Sequence, residues 1–98
     1  MKVFISQGMN GKTEEEIKEQ RESMESIVKQ NHPDDEIEFI DSYFEDYDGS
    51  ALKYIAKSID LLVTADLVVF KEAEWNSYRG CRTEHKVAKE YEMNIEFV

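Results

Sequence analysis

Ninety-eight residues give room for one domain, residues 1–98, and the 41% apolar and 35% charged fractions belong to the soluble globular class. The formal net charge of -10 opposes binding of nucleic-acid polymers and of anionic membranes, while leaving room for a small anion held by backbone amides and one or two arginines. No apolar run approaches the roughly 20 residues of a membrane span, "MKVFISQGMNGKT" has no secretory h-region, and the lone Cys81 excludes an internal disulfide, so the cytoplasm is the expected compartment.

In chain order, "KVFIS" (2–6) is rich in β-branched and aromatic residues and reads as a strand. Thr13 and Glu16 then fit a capping box, and Ile17, Met24, Ile27 and Val28 recur at helical spacing, predicting a helix to about Gln30. "EIEFI" (36–40) alternates apolar and acidic residues and predicts a second strand with one face less covered. "DSYFEDYDGS" (41–50) is polar and turn-like, and its Ser50 is placed to cap the next helix. There Leu52, Ile55, Ala56, Ile59, Leu62 and Val63 form a wide apolar face. "DLVVF" (66–70) suits a central strand buried on both faces. A loop, "KEAEWNSYR", leads to a helix from about Gly80 to Tyr91, and "NIEFV" is the last strand.

Strict β-α-β-α-β-α-β alternation predicts an α/β fold: a small flavodoxin-like or Rossmann-like three-layer domain with a four-stranded, mostly parallel sheet. With the strand order 2-1-3-4, the winding reverses between the first and third strands. Ligands of such sheets bind at the carboxyl ends of the strands at that reversal. The loops "SQGMNGK" and "KEAEWNSYRG" meet there.

Glu84 is the residue that stands out. Val87, Ala88 and Tyr91 make the apolar face of the last helix, and one turn back along that face is a carboxylate, in what reads as the first turn. It either complements the helix dipole or, poorly hydrated in a cleft, serves as a nucleophile or base. Gly11-Lys12-Thr13 imitates the end of a phosphate-binding loop, but the glycine required five places earlier is Ser6, which excludes that motif. The stretch Ser6, Gln7, Met9, Asn10, Gly11 remains a polar loop entering a capped helix, able to offer amides to an anion or to sugar hydroxyls, or simply a turn. Arg79 and Gly80 precede Glu84 and can meet an anion, or lie on the surface. Trp75 can stack on a base, cover the core or join a subunit contact. Cys81 and His85 are four apart, too few ligands for a metal centre, and no cofactor motif is present. Asp41, Asp46, Asp48 and Asp60 read as solvated or turn-forming.

The opening "MKVFISQGMNGKTEEEI", with "KSIDLL", "ADLVVF", "RGCR" and "EHKVAKEY" later on, resembles the DUF4406 family of small bacterial and phage proteins, grouped with the nucleoside 2-deoxyribosyltransferase-like fold. The resemblance runs nearly end to end. Family members usually have proline where this chain has Gly8, and often Gly-Trp where it has Glu74-Trp75. The resemblance implies cleavage or exchange of N-glycosidic bonds of a nucleoside or nucleotide. Glu84-His85-Lys86-Val87-Ala88 matches the superfamily's E-x-x-x-A pattern, which implies Glu84 as nucleophile. It further implies Ser6, Gln7, Met9, Asn10 and Gly11 on the sugar or phosphate side, Trp75 over the base, and Arg79 with Gly80 at an anionic group. Deoxyribosyltransferases also carry an aspartate on the second helix that helps protonate the leaving base. The corresponding place here is near Ser58, and Asp60 lies two residues off. A non-catalytic nucleotide-binding module and an acidic protein-interaction domain are the alternatives. Relatives share sites across subunits, so a homo-oligomer is expected, with "SYFEDY" of one chain closing the site of another.

Overall fold

The computed structural model describes residues 1–43 and 49–98; Asp46, Asp48 and most of "SYFEDY" lie outside them. Eight segments alternate as expected. Strand β1 is Lys2–Ser6, helix α1 Glu14–Asn31, strand β2 Glu38–Phe39, helix α2 Ala51–Leu62, strand β3 Leu67–Phe70, helix α3 Arg79–Glu90 and strand β4 Ile95–Phe97, with one 3-10 turn at Trp75–Ser77. The sheet order is β2-β1-β3-β4 and every neighbouring pair is parallel. This is a flavodoxin-like or Rossmann-like α/β fold. None of the described helices is long and apolar enough to cross a membrane.

The period-two alternation of strands sorts the core into two layers. Val3, Ile5, Leu67 and Val69 face α1, packing on Met24 and Val28. Phe4, Val68 and Phe70 face the other way, onto Leu62 of α2 and Ala88 of α3. The same alternation sends Ser6 to the side of Phe4, the α2/α3 side, at the last position of β1. Ser6 pairs in register with Phe70, so it marks the carboxyl end of the β1/β3 junction.

Helix starts follow their capping residues. Thr13 accepts from the Glu16 amide while Glu16 reaches back to the Thr13 amide, completing the capping box. Ser50 caps α2 through the Lys53 amide at 3.2 Å. The third helix begins one residue earlier than its pattern suggests. Glu84 therefore stands in the second turn, beyond the strongest reach of the helix dipole. Tyr91, read as part of the buried face, is 79% exposed because the helix ends at Glu90 and the chain leaves through Glu92 in the left-handed region, φ 57°. The second strand is shorter than its alternation suggested, being paired only at Lys2–Glu38 and Val3–Phe39 on one edge of the sheet.

Candidate functional site

A cleft opens at the carboxyl end of β1 and β3. Its walls come from three distant stretches: the loop after β1 (Gln7 to Asn10), one face of α2 (Ser50 to Ser58), and the entry to α3 (Ser77 to Glu84). Among the described residues that line it, Glu84 is the sole carboxylate, and Arg79 and Arg82 bring positive charge to the same cleft.

Glu84 is 5% exposed. Ser6 Oγ donates to its Oε1 at 2.7 Å, and among the described residues no donor reaches Oε2. Burial raises the carboxyl to about 7, the Ser6 hydrogen bond working against that rise. The group is therefore close to half ionised at neutral pH, with one oxygen pinned and the other available. One turn earlier, Cys81 is buried, and burial pushes its thiol up to about 11, so it stays protonated. His85, four residues after Cys81, points elsewhere: its ring stacks on Trp75 at 4.2 Å, and Phe70 meets it edge-on. No cluster of three or more metal-ligating side chains occurs among the described residues.

The two loops are clasped to each other. Lys12 Nζ pairs with Glu74, Gln20 donates to the same carboxylate oxygen, and Gln7 Nε2 donates to Gln20 at 3.1 Å. Burial opposes ionisation of Glu74, but its hydrogen bonds to Lys12 and Gln20 outweigh burial and hold the carboxyl below its ordinary range. Lys12 also lies over the Tyr78 ring, and that ring packs directly on Gly8. A Cβ at position 8 would overlap the Tyr78 ring. Glycine is thus what allows Tyr78 to close this wall. On the far side, Arg21 joins α1 to the end of β2, donating to Ile40 O at 2.6 Å and to Ser42 Oγ at 3.0 Å.

Of the residues singled out in the sequence, the cleft brings together Gln7, Met9, Asn10, Ser58, Arg79, Gly80 and Glu84. Ser6 stands behind the carboxylate, fully buried, and positions it. Gln7 spends its amide on α1, through Ile17 O at 3.0 Å and Gln20. Met9 accepts a hydrogen bond from Tyr54 at 3.1 Å. Besides Ser6, two more expected residues are not in the lining. Gly11, at φ 82°, makes the exposed turn into α1. Trp75 packs with Phe70, His85 and Phe97 on the opposite flank of α3, covering the core near β4. In place of Trp75, Tyr54 and Tyr78 supply the aromatic surface of the cleft. Both were legible in principle: Tyr54 is one turn before Ser58, and Tyr78 directly precedes Arg79.

Compared with models of protein families, with curated proteins and with solved structures, the chain matches none.

Proposed function

We propose that this protein breaks or exchanges the N-glycosidic bond of a nucleoside or nucleotide, with Glu84 as the nucleophile. The observation that carries the reading is a single buried carboxylate on the cleft wall, pinned through one oxygen by Ser6 and open at the other. In the first step Glu84 Oε2 attacks the anomeric carbon and the carbon–nitrogen bond breaks, its electron pair going to the base nitrogen, which takes a proton from water. Water or a second base then attacks the anomeric carbon, the carbon–oxygen bond to Glu84 breaks with its electron pair returning to the carboxylate, and the proton the attacking group loses neutralises the hydroxide left by the first step. Arg79 and Arg82 supply positive charge for an anionic group, next to the α3 N-terminus, where no side chain caps the free amides. Tyr54 and Tyr78 offer stacking surface to the base.

One observation favours a second reading, a module that binds the nucleotide without cleaving it. Among the described lining residues there is no second carboxylate to protonate the leaving base, and Ser58 occupies the place where the resemblance expects an acid.

Incubating the protein and its Glu84→Ala variant with pooled nucleosides, nucleoside monophosphates and dinucleotides separates the two. Mass spectrometry should find free base or exchanged product with the natural protein alone, together with a sugar adduct on the peptide containing Glu84. Turnover that persists in the variant refutes Glu84 as nucleophile. A ligand retained through desalting and recovered intact replaces the catalytic reading by the binding one.

A further inference from the structure

The apolar arc of α2 is wider than the face its own domain covers. Ser58 and Leu62 are buried and Ile55 and Ile59 half-buried, while Leu52, Ala56 and Val63 are open to solvent. Leu52 is 76% and Val63 60% exposed. Positions 52, 56, 59 and 63 succeed one another at steps of four, three and four, so they form one continuous stripe along the helix. Single exposed apolar side chains are ordinary; a stripe running the full length of a helix is the pattern of a helix that packs on a partner.

Charge selects the partner. The chain carries -10 overall, and α1 alone holds Glu14, Glu15, Glu16, Glu19, Glu22 and Glu25. The second helix instead carries Lys53, Lys57 and Asp60, so two copies meet there with the least like-charge repulsion. Lys53 and Asp60 are seven residues apart, on the same flank of the stripe, and neither has an ion-pair partner among the described residues. We infer that α2 packs antiparallel against α2 of a second copy of this chain, about a two-fold axis near Lys57 and Ser58. In this arrangement Leu52 of each copy faces Val63 of the other, Ala56 faces Ile59, and Lys53 lies beside Asp60 twice over. A parallel pair would carry the Lys53–Asp60 flanks of the two helices to opposite sides of the seam, so only the antiparallel pair brings these opposite charges together. The small Ala56 near the crossing lets the helices approach to the roughly 8–10 Å of ordinary helix packing. Leu52 also lines the cleft, so the second copy borders its mouth. The inference stands independently of the chemistry proposed for Glu84.

Sedimentation equilibrium on the purified chain at micromolar concentration should return twice the 11.5 kDa chain mass. Ala56→Glu with Val63→Glu should return the single-chain mass with an unchanged circular dichroism spectrum, since both positions are exposed. Lys53→Glu alone and Asp60→Lys alone should each weaken the dimer about tenfold by setting like charges opposite each other. Their combination should restore it. A natural chain that stays monomeric, or a dimer that survives the two glutamates, overturns the interface. Charge reversals that add instead of cancelling overturn the antiparallel register.

Discussion

Replacing Glu84 by glutamine keeps the shape of the side chain and an acceptor for Ser6 Oγ, and removes only the capacity to ionise. In the folded protein the carboxyl is raised from its ordinary 4.5 to about 7, first by burial, with the Ser6 bond partly offsetting it. The unfolded chain lacks that burial. Between these two values the folded state therefore holds a proton that the unfolded state has released, and stability falls as pH rises. The contribution of protonated Glu84 is fully present below about 4.5 and is lost once pH has passed about 7. At about 1.36 kcal/mol per pH unit this amounts to roughly 3 kcal/mol. Glu84→Gln should thus match the natural protein at pH 5 to within about 1 kcal/mol, and exceed it at pH 8 by up to roughly 3 kcal/mol. For a domain of this size that gain raises Tm by on the order of 10 °C. Urea unfolding of both proteins at both pH values measures it, because the other carboxylates titrate alike in the two proteins and cancel in the comparison. A stability gap that is the same at pH 5 and pH 8 would refute the argument that burial dominates this carboxyl. The same titration governs the proposed chemistry with the opposite preference: a nucleophile must be ionised, so the rate should rise with pH through about 7.

Gly8→Ala should lose about 1–3 kcal/mol in chemical denaturation, because the new Cβ displaces the Tyr78 ring that Lys12 covers. A neutral result would mean that the ring is free to move aside. Glu92→Gly should gain about 1 kcal/mol by relieving a non-glycine residue held at φ 57° after α3, read as a rise in Tm with unchanged circular dichroism.

Much of this was legible in sequence because it depends on local patterns. The β-branched and aromatic content of "KVFIS" and the apolar run "DLVVF" place the strands, Thr13–Glu16 and Ser50 start their helices, and α/β alternation leads to the parallel 2-1-3-4 sheet. Glu84 was legible for the same reason, as a polar residue in phase with Ala88. What was not legible depends on contacts between distant segments. The phase of α2 could not be read, because its apolar arc includes both the inward face of Leu62 and the outward stripe of Leu52, Ala56 and Val63. Trp75 could not be placed, because its loop position allows either flank of α3 and only its stacking on His85 decides. The hydrogen bond from Ser6 to Glu84 and the hold of Arg21 on Ile40 and Ser42 leave no trace in spacing.

The bond between Ser6 and Glu84 spans 78 residues of chain. Its two ends meet only after β1 has paired with β3 and α3 has folded back across them. No proteolytic fragment short of nearly the whole domain can carry the cleft, and none can be expected to retain a ligand. Occupancy and global folding are consequently one equilibrium. Any compound that fills the cleft at about a hundred times its Kd must stabilise the entire domain against unfolding by about 2.7 kcal/mol. Thermal shift therefore reads out ligands for this protein whichever reaction, if any, they undergo in the cleft.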